Sequence, residues 1–128
     1  MRVSTRYAGS HTVVAVSEVV DIATSAELRK YLADVVEAGA RSLVLDLSDV
    51  RYLDSTGLTV LVETFRLIGG QSGAMVVVCG ESLVRRVLEV TGLDRAFAVR
   101  DTLAEAFQVL GGPGQGDPPT AEPAPAAC

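Results

Sequence analysis

Val3, Thr5 and Tyr7 alternate with polar residues, the pattern of a half-buried strand. Ala8-Gly9-Ser10-His11 is a turn signal, and Thr12 to Val16 forms a second strand, so the chain opens on a predicted hairpin. His11, the only histidine, falls in this turn and is expected in solvent. Glu18 to Ile22 reads as a connection into a helix. Thr24-Ser25-Ala26-Glu27 has the hydroxyl-to-Glu spacing of a capping box. Leu28, Tyr31, Leu32, Val35 and Val36 then recur along one helical stripe, which Gly39 ends.

Ser42 to Leu47 is almost continuously apolar and β-branched, as in a covered central strand. Ser55 to Ile68 is a second amphipathic helix with Leu58, Leu61, Val62, Phe65 and Ile68 as its buried face, closed by Gly69-Gly70. Ala74 to Cys79 is a further strand, and Ser82 caps a helix carrying Leu83, Val84, Val87 and Leu88 up to Gly92. Ala96 to Val99 is a short strand, and Asp101-Thr102 starts a last helix with Leu103, Ala106, Phe107 and Leu110 inside.

The order ββαβαβαβα implies an α/β fold in one domain over residues 1–110. The expected sheet is small and mixed, an initial antiparallel hairpin followed by parallel strands. Helices with a single apolar stripe are expected mainly on one of its faces. From Gly111 the composition turns to Gly, Pro and Ala with no large apolar side chain. Residues 111–128 are therefore expected to be a disordered tail.

Composition narrows the function. A net charge of −5 over 128 residues, with scattered arginines, argues against a direct nucleic-acid partner. No apolar run approaches the ~20 residues of a membrane helix, and the N-terminus lacks the apolar segment of a signal peptide, so no membrane insertion is expected. Cys79 ends an apolar run and reads as a buried thiol, while Cys128 closes the tail; no disulfide between them is expected. That usage suits a reducing cytoplasm.

Enzyme equipment is missing. There is no G-x-S-x-G elbow and no Walker A lysine, and no base can be named for a nucleophilic serine. No cluster has metal-ligand spacing, and Asp46 and Asp49 read as solvated or capping acids. No cofactor, no metal and no catalytic residue are expected. What remains is Asp54-Ser55-Thr56-Gly57, an acid, two hydroxyls and a glycine where a strand hands over to a helix. Local chemistry leaves two readings open: plain N-capping by Asp54 or Ser55, or an exposed hydroxyl that receives a phosphate. Asp21 is likewise either a loop acid bonding nearby N–H groups or a neighbour of that phosphate.

The run Leu45-Asp46-Leu47-Ser48-Asp49-Val50-Arg51-Tyr52-Leu53-Asp54-Ser55-Thr56-Gly57-Leu58 closely resembles the signature of STAS-domain anti-sigma factor antagonists. A hairpin, an Asp, and the helix start Thr24-Ser25-Ala26-Glu27-Leu28 agree with that family over residues 1–110. The resemblance implies a STAS-like domain that is not an enzyme. It makes Ser55 the phosphoacceptor, with Thr56 the lesser candidate, and puts Asp21, Asp54 and Gly57 around it. The implied partners are an anti-sigma factor that is also a serine protein kinase, and a phosphoserine phosphatase. The unphosphorylated protein would bind the anti-sigma factor and so release a sigma factor, and phosphorylation would end that binding. The alternative is a STAS scaffold or regulatory subunit of another signalling or transport complex. One stretch departs from the family: where it usually reads Gly-Glu-(Leu or Val)-Asp, this chain reads Glu18-Val19-Val20-Asp21.

Overall fold

The structure is a computed structural model and describes residues 1–111. The Gly/Pro/Ala-rich segment expected to be disordered lies outside the described residues, apart from Gly111. Five strands form one sheet in the order β1-β2-β3-β4-β5: Arg2–Ala8, His11–Val20, Ser42–Leu53, Ala74–Val78 and Ala98–Arg100. β1 and β2 are antiparallel, and every later pair is parallel. The mixed sheet expected from the strand–helix alternation is the sheet observed.

Helices α1 (Ser25–Glu37), α2 (Ser55–Gly69) and α3 (Leu83–Thr91) bury Leu28, Leu32, Val36, Val60, Leu61, Ile68, Val84 and Leu88 with Leu43, Leu45, Leu47 and Val77 of the sheet. The opposite faces of β2, β3 and β4 carry Val13, Val44, Val76 and Val78, which pack on Ala106, Leu103 and Phe107 of the helix over Leu103–Val109. The helices thus lie mainly on one face, with this last one alone on the other. Alternation of side chains along a strand explains the division: Leu43 and Leu45 point one way, Val44 the other.

Several boundaries differ from the sequence reading. β2 and β3 are longer than expected, because each continues through irregular pairing where simple alternation stops. The β2–β3 register shifts between Ala15 and Ser17 and again between Glu18 and Val19. Glu18 has φ +79, a left-handed conformation that favours glycine, at the very position where the resembling family carries Gly. A four-residue helix, Leu93–Ala96, precedes the last strand and takes Ala96 out of it; with it, the helix over Leu103–Val109 is the fifth in chain order.

The expected solvent position of His11 is wrong. His11 opens β2 and is 4% exposed; its Nδ1 lies 2.7 Å from Ser42 Oγ and its ring stacks on Phe107 at 5.3 Å. The turn is Gly9-Ser10, so His11 already belongs to the ladder, beneath the helix that covers the second face. The buried face of α2 also differs in detail. Gly57, Val60, Leu61, Thr64 and Ile68 are buried, whereas Leu58, Val62 and Phe65 are half-buried on its flank. Thr64 satisfies its hydroxyl by donating to the Val60 carbonyl at 2.8 Å, which is what lets a threonine sit inside.

Candidate functional site at the start of helix α2

Parallel strands end at one edge of a sheet, and in α/β sheets that edge is where binding residues gather. Here β2 runs out into the loop carrying Asp21, β3 runs out into Asp54-Ser55, and β4 runs out toward Ser82. The first two loops are bonded to each other: the Asp54 N–H donates to the Val20 carbonyl at 3.2 Å. The sequence elements singled out as Asp21 and Asp54-Ser55-Thr56-Gly57 therefore lie on adjoining loops.

Asp54 is the N-cap of α2. Its backbone is extended (φ −98°, ψ −171°), and its Oδ1 accepts from the N–H groups of Thr56 at 2.9 Å and Gly57 at 3.2 Å. The Thr56 hydroxyl donates to the same oxygen at 2.5 Å. That hydroxyl holds the Asp54 carboxyl below the ordinary carboxylate range, with the Gly57, Thr56 and Ile22 N–H groups adding to it, while partial burial opposes them. The cap of this helix is therefore Asp54, and Thr56 spends its hydroxyl on it.

Ser55 is left over. Its side chain is exposed, and its Oγ is in no hydrogen bond among the described residues. Gly57 explains how the helix start fits against the sheet. A Cβ there would strike Leu53 Cδ1 and lie 3.0 Å from Val20 Cγ1, both in the core. Only glycine lets the first turn of α2 press this closely on the ends of β2 and β3.

Asp21 acts as a loop acid. Its Oδ1 accepts from the Ala23 N–H at 2.9 Å, and its own N–H donates to Thr24 Oγ1 at 3.0 Å. Thr24 Oγ1 in turn donates to the Val19 carbonyl at 3.1 Å, so the hydroxyl shapes the loop and makes no cap bond to α1. The capping box read at Thr24–Glu27 is thus not formed. Ser82 and Thr102 do cap their helices, accepting from Arg85 at 3.1 Å and Glu105 at 3.2 Å. Asp46 lies inside β3 and caps no helix; its Oδ1 accepts from the N–H and hydroxyl of Ser48. No group of acids, cysteines and histidines suited to a metal ion occurs among the described residues.

Two apolar side chains at this edge are exposed: Ile22 has no functional reading in the sequence, and Leu83 departs from the buried stripe expected of its helix. Ile22, directly after Asp21, is 79% exposed, and Leu83, at the start of α3, is 59% exposed. Ile22 differs from exposed apolar residues elsewhere in lying on the loop that the Asp54 N–H ties to the start of α2. Its only sequence signal is an isolated large apolar residue outside any periodic stripe. No helix among the described residues is long and apolar enough to cross a membrane.

Comparison with known proteins agrees with this architecture. The STAS domain matches residues 2–106. The chain is 37% identical over 95 residues to the anti-sigma-F factor antagonist RsfB of Mycobacterium tuberculosis, covering 74% of this chain and 77% of that one. It is 36% identical over 74 residues to the anti-sigma-B factor antagonist of Bacillus subtilis, covering 58% and 67%. The crystal structure of an anti-sigma factor antagonist from Mycobacterium paratuberculosis superimposes with a TM-score of 0.80 at 32% identity, over 86% of this chain and 93% of that one. These relatives are named as antagonists, that is, as regulatory binding proteins. The extent of the match, the five-stranded mixed sheet and the capped helix start together place this chain in the STAS domain family.

Proposed function

We propose that this protein is an anti-sigma factor antagonist acting in the cytoplasm and switched by phosphorylation of Ser55. In the unphosphorylated form it binds an anti-sigma factor that is also a serine kinase, and a sigma factor is released. In the kinase step Ser55 Oγ attacks the terminal phosphorus of ATP, the bond to ADP breaks, and the hydroxyl proton passes to a base on the kinase. A phosphoserine phosphatase restores the hydroxyl.

The observation that carries this reading is the division of labour at the start of α2. Asp54 and Thr56 are occupied in the cap, while Ser55 stands exposed with its hydroxyl uncommitted. The names of the relatives supply the class of partner. Phosphorylation adds about −1.5 to −2 charges at neutral pH. Placed in a contact surface beside Asp54, that charge opposes docking by repulsion and desolvation, without any change of fold.

The test is incubation with the cognate anti-sigma factor and ATP, followed by phosphopeptide mapping. Modification at Ser55, abolished in Ser55→Ala, is expected. Undiminished incorporation into a Ser55→Ala/Thr56→Val double variant would contradict the assignment.

A further inference from the structure

Resting on Ser55 as the phosphoacceptor, we propose that Asp54 keeps the phosphate of phosphorylated Ser55 off its own helix, so that the added charge faces outward. A helix start ordinarily draws in a phosphate, because its first N–H groups are unpaired and carry partial positive charge. A phosphoserine in the first turn would then fold back onto those groups and hide part of its charge.

Here the N–H groups beyond Ser55's own are taken. The N–H groups of Thr56 and Gly57 both donate to Asp54 Oδ1, and the Leu58 N–H donates to the Asp54 backbone carbonyl at 3.0 Å. The Thr56 hydroxyl clamps the same carboxylate oxygen. To reach the helix, the phosphate would have to displace a carboxylate held by the Thr56 hydroxyl and the N–H groups of Thr56 and Gly57, and lie against a like charge. Asp21, one residue beyond the Val20 carbonyl that binds Asp54, adds a second negative charge on the adjoining loop. The outward route is the one without these costs.

Two consequences follow. The protein gains no stability from being phosphorylated, so the equilibrium between its two forms is left to the kinase and the phosphatase. The phosphate also stays accessible to both partners, as a charge one is repelled by and the other can hydrolyse.

The test needs no kinase. Phosphoserine is installed at position 55 during translation of the full chain, in the parent, Asp54→Asn and Asp54→Ala backgrounds. Melting temperature and the amide proton shifts of Thr56 and Gly57 are then measured against the unmodified forms. In the parent, phosphorylation is expected to lower the melting temperature and to move both amides little. In Asp54→Ala the phosphate takes over the cap, which raises the melting temperature by about 2–5 °C and shifts both amides downfield. Asp54→Asn keeps the acceptor oxygen without the charge, so phosphorylation lowers its melting temperature less than the parent's. A rise in the parent with both amides moving downfield would overturn the proposal, as would an Asn variant indistinguishable from the parent. Should Asp54→Ala not fold, the parent amide shifts and the Asn variant decide. Because the phosphate is installed directly, a partner indifferent to phosphorylated Ser55 would refute the proposed function and leave this inference standing.

Discussion

The backbone N–H of Asp54 donates to the carbonyl of Val20 at 3.2 Å, so the loop after β2 and the start of α2 are held as one surface. Ile22, two residues beyond Val20, is 79% exposed on that surface. A partner seated over Ser55 is expected to reach Ile22. Ile22→Lys is expected to weaken capture of the cognate anti-sigma factor about 5- to 150-fold, from a loss of about 1–3 kcal/mol, with an unchanged melting temperature. Calorimetric titration beside a thermal melt checks both halves.

Gly57 and Gly69 predict opposite outcomes for the same substitution. A Cβ at Gly57 strikes Leu53 and approaches Val20, whereas nothing lies within 4 Å of one at Gly69. Gly57→Ala should cost about 1–3 kcal/mol through overpacking. Gly69→Ala, in the last turn of α2, should be neutral or stabilise by up to about 1 kcal/mol. Urea denaturation of the two variants gives the comparison directly.

The Asp54 carboxyl has a direction of pH dependence. Its folded pKa lies below its ordinary value of 3.8, chiefly because the Thr56 hydroxyl bonds the ionised form. A lowered folded pKa means that the stabilisation is fully present above the ordinary carboxyl value and is lost as pH falls through the folded one. The stability gap between the parent and Asp54→Ala should therefore be widest near neutrality and close in strong acid. Denaturation midpoints from pH 7 down to the acid limit of folding test this.

Cys79 is buried at the end of β4, and burial pushes its thiol up to about 11. In a Cys128→Ser chain, where it is the sole thiol, disulfide-exchange labelling at pH 8 should run at least ~100-fold slower than for a free cysteine. Adding denaturant should restore the ordinary rate.

Much of this was legible in the residues, for physical reasons that also mark the limits. Leu43 to Leu47 announces itself as an apolar run because both faces of the sheet are covered there, and Leu28, Leu32 and Val36 announce themselves because burial of one helix face enforces a period of 3.6. The periodic signal fails where geometry is irregular. β3 continues past Leu47 through Asp49-Val50-Arg51-Tyr52 because the register shifts against β2, which breaks alternation without ending the strand. Leu93–Ala96 is too short to show a helical period. The burial of His11 is invisible in the sequence because a turn signal says nothing about the helix over Leu103–Val109, nearly a hundred residues later in the chain, that covers the strand it opens. At the site, the acid and the hydroxyls were visible, but the choice of cap was not. Asp54, Ser55 and Thr56 can all cap a helix, and only the extended backbone at Asp54 and the bonds to its Oδ1 make it the one that does.

The central claim is that a phosphate on Ser55 switches partner binding off. The most direct measurement is the affinity of the cognate anti-sigma factor for the protein with serine and with phosphoserine at position 55, by calorimetry at one fixed salt concentration. A loss of about 2–4 kcal/mol is predicted, a ~30- to 1000-fold weaker complex. Equal affinity for the two forms would contradict the account.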